Sequence, residues 1–224
     1  MTTNDLYASH IQSENICQPA KEKSGPAQNP HQRHTSTRVL RHHAIALAMG
    51  MVPVVATGQP QGGRVVSGSA TITQSGSPGQ TVTTVQQSSA IASLQWQSFN
   101  LGAGDAVHFV QPSKDSLTIN RISDIAGSNI LGRIQANGQV WLINPNGIVF
   151  GKGAQINVGG LLASTLNSQD PATDFQKNRT DMVLSGNSLA SVVNLGHINA
   201  AEGGYVALLG HTASNQGSIT SDQG

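Results

Sequence analysis

Beyond position 56 the chain carries eight acidic residues: Asp105, Asp115, Asp124, Asp170, Asp174, Asp181, Glu202 and Asp222. Carboxylates are what glycan cleavage requires, either as a general acid paired with a second carboxylate or as a cluster holding a cation. These eight are scattered, and the closest group, Asp170 to Asp181, falls in an irregular charged stretch. His108, His197 and His211 lack the spacing of metal ligands. Gly151-Lys152-Gly153 has neither the Ser/Thr nor the helix that follows in a phosphate loop. Cys17 is the only cysteine and precedes position 56, so the remainder holds no disulfide or thiolate site. No catalytic residue, metal ligand or cofactor is expected. With a net charge of +1 and no basic stripe interleaved with aromatics, nucleic acid is excluded as a partner.

The residues with the most specific local chemistry are Asn144, Pro145, Asn146 and Gly147. They meet the demands of a type I turn in order: Asn at i, Pro presetting φ at i+1, Asn tolerating the bridge region at i+2, Gly at i+3. Apolar strands flank the turn directly, Val140 to Ile143 before it and Ile148 to Phe150 after it. The chain must corner sharply here.

A corner between short apolar strands is the unit of a β-solenoid, and the sequence contains a period to match. Asn194, Gly196 and Ile198 recur as Asn215, Gly217 and Ile219, a spacing of 21 residues. The run from Gly204 to Leu209 echoes Gly138 to Ile143. Three strands of 4 to 5 residues with three short turns need roughly 20 residues, so one repeat is one coil. If every residue from 57 to 224 followed this period, there would be at most about 8 coils, a rod of roughly 40 Å. The Asn194/Asn215 pair reads as a stacked ladder that satisfies backbone groups. The repeat halts at Asp222-Gln223-Gly224 with no cap visible in the sequence, so the chain is expected to be the N-terminal piece of something longer.

Charged residues make up 10% of the chain and aromatics 4%, with 25 glycines, a balance that favours short strands and tight turns. The first 56 residues differ. A polar segment to about residue 32 precedes Arg33, Arg38, Arg41, His42 and His43, then an apolar run from Ala44 to Ala56 too short to span a bilayer. This is the pattern of an extended leader ending in a Sec-type signal peptide, with cleavage near Ala56. Residues 60 to 87, with the turn Gly76-Ser77-Pro78-Gly79, predict a hairpin that caps the first coil. Residues 162 to 190 are less β-branched and more charged, and predict an excursion outside the solenoid before coils resume at Val192.

Several segments together resemble one family. Pro60-Gln61-Gly62-Gly63, Trp96 with Ser98 to Gly102, Val107 to Pro112, Asn120-Arg121-Ile122 and above all Gly138 to Thr165 resemble the N-terminal secretion domain of two-partner secretion exoproteins, the filamentous haemagglutinin-like proteins. The likeness covers nearly all of residues 57 to 224. It implies an all-β, right-handed parallel β-helix with an N-terminal cap and an extra-helical hairpin. It also implies Sec-dependent export, recognition by a cognate outer-membrane transporter with periplasmic recognition domains, and delivery of a long passenger to the cell surface. The secretion motif carries over onto Asn144, Pro145, Asn146, Gly147 and Ile148, with Asn100, Asn120 and Arg121 as secondary positions. A second motif, Asn-Pro-Asn-Leu, found in some members, is absent. Contact with host or cell-surface glycans belongs on this reading to the passenger. The competing class is a β-helical protein that binds or degrades polysaccharide.

Overall fold

The computed structural model describes residues 58–168 and 183–221. The expected leader, the core of the charged stretch and Asp222-Gln223-Gly224 lie outside the described residues. Every regular element among those described is a strand.

The chain opens with β1 (Arg64–Ser67), β2 (Ala70–Ser77) and β3 (Gln80–Gln87). β2 and β3 form the expected hairpin, antiparallel from Ala70↔Gln87 to Ser77↔Gln80. Coils follow. The first has β4 (Ile91–Trp96) and β5 (Ala106–Val110), with Leu101 bridging between them to Ile130 of the next coil. The second is β6 (Leu117–Ile122), β7 (Ser128–Ile130) and β8 (Arg133–Ala136), and the third β9 (Gln139–Ile143), β10 (Ile148–Phe150) and β11 (Gln155–Val158). The fourth begins with β12 (Gly160–Ser164), leaves the stack through the antiparallel pair β13 (Asn167–Ser168) and β14 (Leu184–Ser185), and is completed by β15 (Ser191–Asn194) and β16 (His197–Ala200). The fifth is β17 (Val206–Leu209), β18 (Thr212–Asn215) and β19 (Ser218–Ser221).

Stacking these coils gives three sheets, in the orders β1-β4-β6-β9-β12-β17, β18-β15-β10-β7 and β19-β16-β11-β8-β5-β3-β2. Pairing is parallel except where the cap strands β1 and β2 join. The period read from sequence is the register of the last coils: Asn194 pairs with Asn215 and Ile198 with Ile219. The described residues therefore form an all-β parallel solenoid of five coils, within the upper bound of about eight. The cap, the excursion and long early coils absorb the difference. Ile91 pairs with Leu117 and Ala106 with Arg133, so a full turn near the cap takes more than 21 residues. The excursion also starts later than predicted, because Leu162, Ala163 and Ser164 complete β12.

The core follows from the pleat. In the third sheet Ile134, Ile156, Ile198 and Ile219 stand in one row, each pointing the same way because the registers align. Full burial of such a side chain contributes about 1.5–3 kcal/mol. A second apolar cluster, Leu117, Ile119, Trp141, Ile143 and Leu162, uses the alternate residues of β6, β9 and β12. It therefore lies on the outer face of the first sheet, with Leu184 of β14 packed against it. Two buried faces explain why Val140 to Ile143 is a continuous apolar run rather than an alternating one.

Candidate functional site

The turn predicted from Asn144 to Gly147 joins β9 to β10. The Gly147 N–H donates to the Asn144 carbonyl at 3.0 Å, closing the four-residue turn, and the Asn146 N–H donates to Asn144 Oδ1 at 2.9 Å. Gly147 sits at φ 105°, where a Cβ would also press on the Ser191 carbonyl at 3.1 Å. Sterics therefore demand glycine at this point. Ile148 follows, fully buried, paired with Ser128 below and Val192 above.

The corner is bonded to the coils on both sides. Toward the preceding coil, Asn144 Nδ2 donates to Ser128 Oγ at 3.0 Å and to the Ala126 carbonyl at 3.3 Å. Asn146 Nδ2 donates to the Asp124 carbonyl at 2.6 Å, and the Ser128 N–H to the Gly147 carbonyl at 2.9 Å. Toward the following coil, the Asn144 N–H donates to the Ser164 carbonyl at 2.9 Å, and Ser188 Oγ donates to the Pro145 carbonyl. Asn144 is 0% exposed, so each of these bonds replaces water that the amide can no longer reach.

The secondary positions are dispersed by comparison. Asn100 Oδ1 accepts the Asn129 N–H at 2.8 Å, tying the first coil to β7. Asn120 faces the interior between Leu94 and Leu142; its Oδ1 accepts the Trp96 indole N–H at 3.0 Å and its Nδ2 donates to the Trp141 carbonyl at 3.2 Å. Arg121 points the other way from the same strand, and its Nη1 donates to Asn167 Oδ1 of β13 at 2.8 Å. The structure thus gathers Asn144 to Ile148 at one corner and distributes Asn100, Asn120 and Arg121 around the stack. Asp124, Ala126, Ser128, Ser164 and Ser188 were not foreseen as partners of the corner. They lie at unlike places in their own coils, so no period points to them.

An open cavity of about 490 Å³ adjoins the corner, lined by Pro145 and Asn146 together with Ile125, Thr165, Asn167 and Leu189. Ile125 is 96% and Leu189 79% exposed, the two most exposed large apolar side chains among the described residues. Among the described residues no charged side chain lines this cavity.

Two of the carboxylates considered for catalysis hold turns instead. Asp105, 1% exposed, accepts the Thr81 N–H at 2.8 Å and the Gly102 N–H at 3.1 Å. Asp124 Oδ1 accepts the Ala126 N–H at 3.0 Å. Asp170, Asp174, Asp181 and Asp222 lie outside the described residues. The predicted asparagine ladder is present: Asn194 Nδ2 donates to Asn215 Oδ1 at 2.8 Å.

A capped solenoid with short parallel strands and a bonded corner is the class of fold that the described residues define. Within that class the chain belongs to the TPS secretion domain family, which matches residues 56–224. This is a secretion-domain family, not an enzyme family. Among solved structures the chain is similar to the secretion domain of HMW1 from Haemophilus influenzae, with a TM-score of 0.60, 31% identity, and coverage of 72% of this chain and 42% of that one. It is also similar to two heme/hemopexin-binding proteins of Haemophilus influenzae. One is 34% identical over 169 residues, covering 71% of this chain and 18% of the relative; the other is 40% identical over 106 residues, covering 47% and 11%. The chain thus spans less than a fifth of the length of these relatives.

Proposed function

We propose that this domain directs secretion of a longer polypeptide by presenting itself to a cognate outer-membrane transporter and folding as a solenoid on export. Residues 1–56 act as the leader, handing the chain to the Sec translocon, and residues 57–224 form the secretion domain. Family membership and likeness to the HMW1 secretion domain support this reading. Any activity toward glycans, or toward the heme or hemopexin named in the relatives, resides in the passenger.

In this reading Asn144, Pro145, Asn146, Gly147 and Ile148 are the secretion determinant. The observation that carries it is the set of bonds joining the corner to the coil before and the coil after. Parallel coils stack in register only if each corner is placed correctly, since a one-residue slip exchanges the buried and exposed faces of a strand. The corner fixes that register early, and stacking then propagates from the cap. Asn100, Asn120 and Arg121 hold neighbouring strands in the geometry the corner requires. In the folded domain both corner amides are engaged internally. Pro145 and Asn146, beside Ile125 and Leu189, are the part of the corner open to a partner.

The test is secretion of the full chain co-expressed with its transporter, with Asn144→Ala and Asn146→Ala compared against the unaltered protein. Both variants should leave the chain retained in the periplasm, Asn144→Ala more completely. Unchanged secretion and unchanged refolding in both would remove the corner from the mechanism.

A further inference from the structure

The excursion poses a problem of register. β12 ends at Ser164, and the next strand of the same coil, β15, begins only at Ser191. It must nevertheless land on β10 with Ile148 opposite Val192 and Phe150 opposite Asn194. A slip of one residue would turn Val192 and Asn194, both 0% exposed, outward and bring half-buried Val193 into the core. Leaving the stack and returning does not by itself fix the register of the strand that follows.

Both ends of this gap are fastened to the same corner. At the exit, the Ser164 carbonyl accepts the Asn144 N–H at 2.9 Å. At the return, Ser188 Oγ donates to the Pro145 carbonyl, a contact across 43 residues, while the same oxygen accepts the Ala190 N–H at 3.1 Å. One hydroxyl therefore reads the position of Pro145 and sets the backbone two residues further on, just before the strand. Ala190 and Ser191 then lie directly over Gly147, the Ala190 Cβ and the Ser191 carbonyl being the nearest atoms to where a Gly147 Cβ would stand. Ala190 passes the alignment upward, since its carbonyl accepts the His211 N–H at 3.2 Å.

We infer that Ser188 is a positioning residue of the secretion corner, returning the chain to the stack in register after the excursion. This rests on the reading of Asn144 to Ile148 as the secretion determinant, and extends that determinant to a residue outside the motif. The corner is complete only when the fourth coil has closed over it, so Ser188 couples formation of the motif to arrival of the next coil.

The experiment uses the full chain with its transporter in four forms: unaltered, Ser188→Ala, Ser188→Thr and Asn144→Ala. Secreted yield is measured alongside amide hydrogen exchange of the purified protein. Ser188→Ala should secrete several-fold less, with exchange rising about five-fold at Asn146, Gly147 and Val192 to Asn194, the change expected for one lost hydrogen bond. β4 and β6 should exchange as before, and Ser188→Thr, which keeps the hydroxyl, should restore both readouts. Wild-type secretion with unchanged exchange in Ser188→Ala would overturn the inference. So would failure of Ser188→Thr to restore them, or a uniform rise in exchange that includes β4 and β6. If Asn144→Ala is retained while Ser188→Ala is secreted normally, only Ser188 loses its role. If Asn144→Ala itself is secreted normally, the reading of the motif falls.

Discussion

Two buried asparagines, Asn144 and Asn194, solve the same local problem with the same chemistry and differ in whom they bond. Each is 0% exposed and accepts, through Oδ1, the N–H two residues on: Asn146 at 2.9 Å in one case, Gly196 at 3.0 Å in the other. Each sends Nδ2 to an adjacent coil. Asn194 reaches Asn215, its own counterpart one repeat later, at 2.8 Å. Asn144 reaches Ser128, the first residue of β7, and Ala126 just before that strand, neither of them an asparagine at a repeated position. A ladder between like positions can be extended by any coil that carries the repeat. A bond to a singular partner can form only at one place in the stack, so it specifies position as well as stability.

That difference can be sharpened by substitution. Asn144→Ala strands a buried serine hydroxyl, frees the carbonyl of exposed Ala126 and opens the turn, and should lower unfolding free energy by about 3 kcal/mol, read by urea denaturation. Gly147→Ala keeps every side-chain bond but forces a side chain into positive φ against the Ser191 carbonyl. It should cost about 2 kcal/mol and lower secretion in step with corner distortion, separating the shape of the corner from its amides. Asn146→Ala removes a single exposed bond to Asp124 and should cost about 1 kcal/mol or less, yet still reduce secretion; a secretion yield equal to the unaltered chain would show that Asn144 carries the corner alone. Asn215→Ala, at the exposed end of the ladder, should shift stability by about 0.5 kcal/mol and leave secretion untouched.

The same contrast explains what could be read from the sequence. The Asn144 to Gly147 turn was legible because its requirements are local and each residue type meets one of them. The ladder was legible because Asn194 and Asn215 repeat at the coil period. Asp124, Ser128 and Ser188 were not: Asp124 and Ser188 contact the corner from outside the strands and Ser128 from the first position of β7, and a serine at such a place carries no signature of the coil it faces. The outer cluster around Trp141 was hidden for a related reason. An apolar run such as Val140 to Ile143 says that both faces of a strand are covered, but not by what. The repeat gave only an upper bound on the coils because the period holds at Ser191 to Ser221 and not near the cap, where the loop around Phe99 and Asn100 lengthens the first coil.

The most direct test pairs Asn144→Ala with Asn194→Ala, two buried asparagines with matching local bonds. Equilibrium unfolding and transporter-dependent secretion are measured for both. The account predicts similar losses of stability, on the order of 2–3 kcal/mol each, with secretion abolished only in Asn144→Ala. Secretion that falls in both variants in proportion to lost stability would contradict it, reducing the corner to one more turn in the stack.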